Sequence, residues 1–319
     1  MGGHVPVLLE ESIEALAIKP DGTYVDLTLG RAGHSSRILG KLSPKGHLYA
    51  FDLDETAIAE GGQRLRQVAD NFTLIHASFA TLKEQLGSLG VNEVDGILAD
   101  LGVSSPQFDD GQRGFSYRYD APLDMRMDRS SSLSAYEVVN SYPREELLRV
   151  LRDYGEEPDA SRIVSAILKR REQAPIQTTF ELVDLIKSAK PCKSLSKKGH
   201  PAKQTFQAIR IEVNHEAEAL SAMLKDAPGM LKEDGRLAII TFMSLDDRVT
   251  KRRFHELSSI EGERHGLTLR PEEIPTPDYR LLTHKPILPS DEELLANPRS
   301  ASAKLRVLIR LTPRKEKAP

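Results

Sequence analysis

The sequence of 319 residues has one cysteine, no tryptophan and no long hydrophobic run. The single Cys192 excludes an internal disulfide and a cysteine-rich metal cluster. No segment approaches the ~18 consecutive apolar residues of a membrane span. The N-terminal residues Met-Gly-Gly-His lack the charged start and apolar core of a signal peptide. His and Asp residues do not cluster at metal-ligand spacing. We therefore expect a cytoplasmic protein with neither a bound metal nor a membrane partner.

An overall excess of basic residues is also lacking, because the formal net charge is -3 at pH 7. The charges are nevertheless uneven: residues 169–210 contain ten Lys and Arg against three Asp and Glu. A local basic surface on an acidic body is typical of a protein that docks a polyanion on one face. A solvated helical face has the same composition, and the charge count alone does not separate the two.

The first hundred residues alternate short apolar strands with helical patterns. The strands are predicted over 24–27, 48–51, 72–75 and 96–99. Strands that are apolar throughout and separated by helices predict a parallel, doubly wound sheet with helices on both faces.

This alternation stops at about residue 107, and only helical signals follow until about residue 203. Thr178 with Glu181, for example, is typical of a capping box. We therefore predict a catalytic domain formed by residues 1–106 and 204–319, with a helical insertion at 107–203.

The α/β pattern then resumes, with strands predicted over 237–242 and 305–309. Residues 230–235 are predicted as the turn before the first of these strands. The proline-rich stretch 271–298 is predicted as an ordered surface loop or linker rather than a helix.

The loop after the first strand, residues 30–34, reads Gly-Arg-Ala-Gly-His. Small residues there let the backbone approach a ligand. Asp52, at the end of the second strand, is placed to accept hydrogen bonds from ribose hydroxyls. The loop and this carboxylate together suit NAD and S-adenosylmethionine equally. The alternative is that they bind no cofactor and are only a tight turn beside a solvated carboxylate. Asp54 is expected to cap a helix. His34 is expected to be a cap or a surface residue rather than a catalyst.

Two further positions lie at the strand ends, where ligands bind in this fold. Phe79 follows the third strand and either stacks on an adenine or packs in the core. Asp100 ends the fourth strand and begins the segment Asp-Leu-Gly-Val-Ser-Ser-Pro-Gln. The chemistry is expected there, although a polar strand end can also merely cap a loop.

Several long motifs, in order along the chain, resemble the bacterial 16S ribosomal RNA methyltransferase H family, also called MraW. The matching segments are 4–9 (HVPVLL), 28–35, 100–107, 113–116 (RGFS), 122–127 (PLDMRM), 205–214, 297–300 (NPRS) and 303–307. The resemblance implies a class I S-adenosylmethionine-dependent methyltransferase: a Rossmann-like α/β fold with a mostly parallel seven-stranded sheet and an inserted all-helical domain. It also implies methylation of the exocyclic N4 of a cytidine, position 1402 of 16S rRNA.

The resemblance further implies which residues bind the cofactor. They are Ala32, Gly33, His34, Asp52, Phe79, Asp100 and Gln107. Two positions depart from the family pattern: Met243 replaces a histidine, and Ala301 stands where arginine is common. No essential proton transfer is therefore assigned to position 243, and one phosphate contact is lost at position 301.

The cytosine amino nitrogen is a poor nucleophile because its lone pair is delocalised into the ring. A hydrogen-bond acceptor must orient it, and the main catalytic task is alignment. We expect this acceptor to be Asp100, or else the backbone and hydroxyls of 101–105, including Ser104 and Ser105. Methylation at carbon C5 of cytosine needs a cysteine nucleophile in the active site. Cys192, the single cysteine, lies in the helical insertion and not at a strand end beside the cofactor, which favours nitrogen over carbon as the methylated atom.

A base inside folded RNA must be splayed out to reach such a site. Phe115, Tyr117 and Tyr119 either receive it or pack under the insertion. The residues expected to hold flanking phosphates are Lys197, Lys198, Lys203 and Arg210.

The expected substrate is 16S rRNA within the 30S subunit, and the sequence leaves the oligomeric state open. The rival functions are an NAD-dependent oxidoreductase, disfavoured by the missing third glycine, and a non-catalytic RNA-binding module.

Overall fold

A computed structural model describes residues 6–102, 110–196, 198–259 and 277–312. Its strands are β1 (Thr23–Asp26), β2 (His47–Asp52), β3 (Phe72–His76), β4 (Val94–Asp100), β5 (Leu231–Thr241), β6 (Tyr279–Leu281) and β7 (Lys304–Arg310). Its helices are α1 (Leu9–Leu16), α2 (Gly33–Leu39), α3 (Glu55–Leu65), α4 (Leu82–Ser88), α5 (Ala135–Ser141), α6 (Arg144–Arg149), α7 (Ala160–Arg171), α8 (Thr179–Ala189), α9 (Cys192–Leu195), α10 (Lys203–Val213), α11 (Glu216–Asp226), α12 (Ser244–Ser258) and α13 (Asp291–Ala296). The chain divides into a sheet unit, up to Gly102 and from Ala219 onwards, and a helical unit between them.

The sheet unit contains seven strands in the order β3-β2-β1-β4-β5-β7-β6. Strands β1 to β5 run parallel to one another, whereas β7 runs antiparallel to both β5 and β6. This arrangement confirms the predicted α/β fold class, a mostly parallel seven-stranded sheet. It also brings the carboxyl ends of β2, β1 and β4 side by side at one edge.

Both faces of the central strands β1 and β4 are buried, which explains why these strands are mostly apolar. Along β4, Ile97 packs into the cluster that contains residues of α4, α11 and α12, while Leu98 packs into the cluster with α1, α2 and α3. Tyr24 and Val25 alternate in the same way along β1. Burial on both faces therefore fixes the sheet between two helical layers.

The turn predicted at residues 230–235 is wrong. Strand β5 already begins at Leu231, which pairs with Val94, and the pairing shifts so that Arg236 lies opposite Gly96. The extra residues form an irregularity in which Asp234 has a φ of 59°. A bulge of this kind keeps turn-like residues inside a strand.

The prediction that the proline-rich stretch contains no helix is wrong. Its described part, from residue 277 onwards, contains the three-residue strand β6 and the helix α13. Ser290 caps α13 by accepting a hydrogen bond from the Glu293 backbone at 3.2 Å. The last predicted strand is confirmed as β7.

The helical unit has its own core, formed by buried residues of α5 to α8 and α10. Phe206, Ile209 and Val213 of α10 belong to this core. The helix therefore packs within the helical unit, although the predicted insertion ends at residue 203. Among the described residues of this unit, β pairing is limited to one isolated bridge between Pro122 and Thr178. Thr178 caps α8 by accepting from the Glu181 backbone at 3.3 Å, which is one half of the predicted capping box. The Glu181 side chain does not complete the box, because it accepts from the Gln177 backbone at 2.7 Å.

A buried ion pair crosses the helical core. Lys190 Nζ donates to Glu157 Oε2 at 2.8 Å, and the side chains are 5% and 0% exposed. The Thr205 hydroxyl, in the first turn of α10, donates to the same oxygen at 3.2 Å. The carboxylate thus ties the end of α8 to the start of α10.

Candidate active site

The loop between β1 and α2 has the tight backbone that a close-approaching ligand needs. Gly30 and Ala32 have φ values of 48° and 56°, in the left-handed region. At Gly33 an added Cβ would lie 2.1 Å from Cγ of Pro6. A glycine is therefore required at position 33 by the packing of the N-terminal segment, as well as by any ligand.

Asp52 ends β2 and holds this loop in place. Its Oδ2 accepts from the Gly30 backbone at 2.8 Å, and its Oδ1 accepts from the Asp54 backbone at 2.8 Å. Burial raises the pKa of Asp52 to about 6, against the effect of these two hydrogen bonds. A carboxylate has about four lone-pair sites, so two remain for ribose hydroxyls. Asp54 caps α3 through Thr56 at 3.0 Å, as predicted.

Asp26, at the end of β1, is a site residue that the sequence analysis missed. It is 1% exposed and accepts from the Ser35 hydroxyl at 2.6 Å and from the Thr28 backbone at 3.0 Å. It therefore links β1 to the start of α2. A carboxylate two residues before Thr28, at a strand end, was the available signal.

Asp100 ends β4, on the other side of β1 from Asp52. Its backbone N–H donates to the Thr28 hydroxyl at 2.7 Å. Its Oδ1 is buried and accepts no hydrogen bond among the described residues. Burial raises the pKa of Asp100 to about 6, the neighbouring Asp26 adds to this rise, and His34 opposes it. The site therefore contains an unused acceptor at a strand end.

The prediction that His34 is a cap or a surface residue is wrong. The ring is 5% exposed, and its Nε2 lies 3.1 Å from the Val7 carbonyl oxygen. Because a carbonyl oxygen only accepts, Nε2 carries a proton and Nδ1 faces Asp100, 3.8 Å from its Oδ2. His34 therefore fixes the N-terminal segment and borders the Asp100 carboxylate.

The remaining predicted cofactor and catalytic residues have mixed outcomes. Phe79 begins the short helical turn Phe79–Thr81 and is half-buried against the sheet core. Its stacking on an adenine stays a prediction. Ser104, Ser105 and Gln107 lie outside the described residues.

The predicted RNA-facing residues also differ in what the structure allows. Arg210 is buried, and its guanidinium makes two hydrogen bonds to Glu216, at 2.7 and 2.9 Å. The prediction that Arg210 contacts a phosphate is therefore wrong, because its charge is already neutralised by Glu216. Lys198 and Lys203 are exposed, and Lys197 lies outside the described residues.

The three aromatic residues predicted either to receive the base or to pack under the insertion also differ in exposure. Phe115 packs in the helical core and is 3% exposed. Tyr119 is exposed, and Tyr117 is half-buried. Phe115 thus follows the packing alternative, whereas the two tyrosines keep surface available for contact.

A family model described as the MraW methylase family matches residues 1–311. The chain belongs to this family. It is 54% identical, over 95% of its length and 96% of the relative's, to ribosomal RNA small subunit methyltransferase H of Streptococcus pyogenes serotype M4 (strain MGAS10750). Members of the MraW family are S-adenosylmethionine-dependent methyltransferases.

Solved structures are similar at low identity. An rRNA methylase from Streptococcus thermophilus is 14% identical with a TM-score of 0.40, covering 97% of this chain and 100% of that one. A Streptococcus mutans protein in complex with SAH is 13% identical with a TM-score of 0.39 and the same coverage. The MraW assignment therefore rests on the sequence matches.

The residues of this MraW methylase fit the methyl donor. Asp52 has two lone pairs left for ribose hydroxyls, and the small residues of the 30–34 loop leave its backbone open to close approach. Among the described residues, the buried Oδ1 of Asp100 accepts no hydrogen bond. In the ranges that the structure covers, no three or more His, Cys, Asp or Glu side chains group as a metal site. Within those ranges no helix has the length and apolarity to cross a membrane.

Proposed function

We propose that the protein transfers a methyl group from S-adenosylmethionine to the exocyclic N4 of a cytidine in 16S rRNA, at position 1402. The observation that carries the choice of a nitrogen acceptor is the buried Oδ1 of Asp100 at the end of β4, which accepts no hydrogen bond from the part of the chain that the structure describes. The rRNA substrate is supported by the name of the 54% identical relative.

The chemistry needs alignment more than activation. The cofactor supplies a methyl group already made electrophilic by its sulfonium. Asp100 accepts a hydrogen bond from the N4 amino group and turns the nitrogen lone pair towards that methyl. As the N–C bond forms and the C–S bond breaks, N4 becomes positively charged and must lose a proton. The nearby carboxylate stabilises this charge and can accept the proton.

The helical unit is proposed as the part that recognises RNA. Its exposed Lys198 and Lys203 are placed to neutralise phosphates, which position an RNA without reading its sequence. We propose the 30S subunit as the substrate because a folded decoding centre supplies shape as well as sequence. A cytoplasmic location follows from that substrate.

The direct test uses radiolabelled S-adenosylmethionine and 30S subunits from a strain that lacks this enzyme. After nucleoside digestion, the label is expected in N4-methylcytidine. A parallel reaction with 30S subunits already methylated by the wild-type strain is the control and should remain unlabelled. Label in another nucleoside would contradict the choice of N4.

The rate is expected to fall in acid, because Asp100 must be ionised to accept. With its pKa raised to about 6, the carboxylate fraction drops about tenfold between pH 7 and pH 5. We expect kcat to fall by the same factor, measured at saturating methyl donor so that Asp52 and cofactor affinity do not contribute. A circular-dichroism spectrum at pH 5 that matches the spectrum at pH 7 excludes unfolding. A kcat that stays level down to pH 5 would contradict the role of Asp100.

A further inference from the structure

A cavity of about 550 Å³ lies within the helical unit. It is lined by Tyr117, Arg118, Gly199, His200 and Lys203. This volume lies in the range of small-molecule sites, and two of the lining side chains are cationic. None of these residues belongs to the Asp52 and Asp100 site.

Aromatic rings form one wall of this cavity. Tyr117 and His200 stack with centroids 4.2 Å apart and planes 3° from parallel, and the edge of Phe206 supports Tyr117 at 5.9 Å. Phe206 belongs to the buried core. The ring pair is therefore held rigidly from behind, which suits it to stacking a further planar group at little entropic cost.

The electrostatic field at this wall is positive. Burial lowers the pKa of His200, and Lys187, Arg118 and Lys190 lower it further. Lys187 and Lys190 face Asp184 and Glu157 respectively. Arg118 and Lys203 have no carboxylate partner among the described residues, so their charges are available to an anion.

A backbone contact adds to the preference for a neutral His200. The Ala202 N–H donates to Nδ1 of His200 at 3.2 Å. That nitrogen must then present its lone pair, so the proton of the neutral ring lies on Nε2. The ring thus offers one N–H donor and an aromatic face, in a field that attracts negative charge.

We propose that this cavity binds one nucleotide of single-stranded RNA flanking the methylated cytidine. Its phosphate pairs with Arg118 and Lys203, and its base packs on the Tyr117–His200 pair. Cationic groups beside stacking rings are the combination that single-stranded nucleic-acid sites use. This inference rests on the proposed function, since it takes rRNA as the substrate.

The first test measures methyl transfer to 30S subunits by Arg118→Gln and Lys203→Gln variants. Each is expected to raise KM about fivefold and to leave kcat unchanged. A fivefold change corresponds to the free energy of one exposed charge contact. The slope of log(kcat/KM) against log[salt] should become shallower by about one. The matched control is Lys169→Gln, an exposed lysine of the same basic segment that does not line the cavity. Variants that behave like this control would overturn the proposal.

The second test does not depend on turnover. Adding a short single-stranded oligoribonucleotide should raise the pKa of His200, followed by NMR, because a nearby phosphate stabilises the imidazolium. Inorganic phosphate and cytidine monophosphate are separate arms. A rise with these small anions at equal or lower concentration would assign the cavity to free phosphate or nucleotide instead. No rise with saturating oligoribonucleotide would overturn the subsite.

The two tests separate the two possible failures. If wild-type protein labels no rRNA but the oligoribonucleotide raises the pKa of His200, the proposed function fails and the RNA subsite remains. If wild-type protein labels N4-methylcytidine while both cavity variants match Lys169→Gln, the function stands and the subsite is wrong.

Discussion

Replacing Asp100 by alanine is expected to lower kcat about a thousandfold, within the range for a positioned acid or base. Asp100 Oδ1 is buried and has no partner among the described residues, and it is the acceptor that we propose for N4. Removing it leaves the amino lone pair delocalised into the π system of the ring and not directed at the methyl group. The measurement is single-turnover methyl transfer at saturating donor and 30S subunits.

The matched variant is Asp100→Asn, which keeps the shape of the side chain and removes its charge. It is expected to lose nearly as much activity as Asp100→Ala. Asp70→Asn, at an exposed carboxylate outside the site, should keep wild-type activity. Cofactor binding is measured in parallel by calorimetry. Near-wild-type turnover in Asp100→Asn, with cofactor bound, would show that another group orients N4.

A stability measurement separates lost chemistry from a lost fold. The pKa of Asp100 is raised from 3.8 to about 6 in the folded protein. The folded state therefore binds this proton more tightly than the unfolded state does, and the carboxyl destabilises the fold as pH rises through this interval. Removing its charge should leave Tm at pH 7 unchanged or higher. A large drop in Tm would assign the loss of activity to misfolding.

The central strands of the sheet are predictable from the sequence because their signal is local. Each central strand is buried on both faces, so an apolar run bounded by turns marks it directly. Strand β5 is different, because Asp234 and Gly235 look like a turn and only pairing with β4 reveals a bulge. Strand β6 has three residues and follows prolines, which leaves too short a pattern to detect.

The sequence predicts which residues stand at the strand ends of the cofactor site, but it does not predict what these and neighbouring residues contact. Asp52 and Asp100 are recognisable because each ends an apolar strand. The environment of His34 depends on Val7, 27 residues earlier in the chain, and no local pattern contains it. The prediction that Arg210 contacts a phosphate is wrong because it rests on a count of charges. Such a count does not show that Glu216 already neutralises the Arg210 guanidinium.

The largest stability effect is expected at the Lys190–Glu157 pair of the helical unit. Lys190→Met leaves the Glu157 carboxylate buried without its cation, which should destabilise this unit by about 3–5 kcal/mol. Two units in one chain need not unfold together. The measurement is therefore native-state hydrogen exchange in peptides of α8 and α10. The control is Lys187→Met, which breaks an exposed pair with Asp184 and should change the same peptides by under about 0.5 kcal/mol.

The double variant Lys190→Met with Glu157→Gln tests the physical cause. It removes both charges and keeps an oxygen to accept from Thr205, so most of the lost stability should return. If Lys190→Met resembles Lys187→Met, the buried pair has no special role. The functional consequence follows from position, because Glu157 bonds the first turn of α10, where Lys203 lies. Loosening that turn should weaken RNA binding in Lys190→Met, and the double variant should restore it.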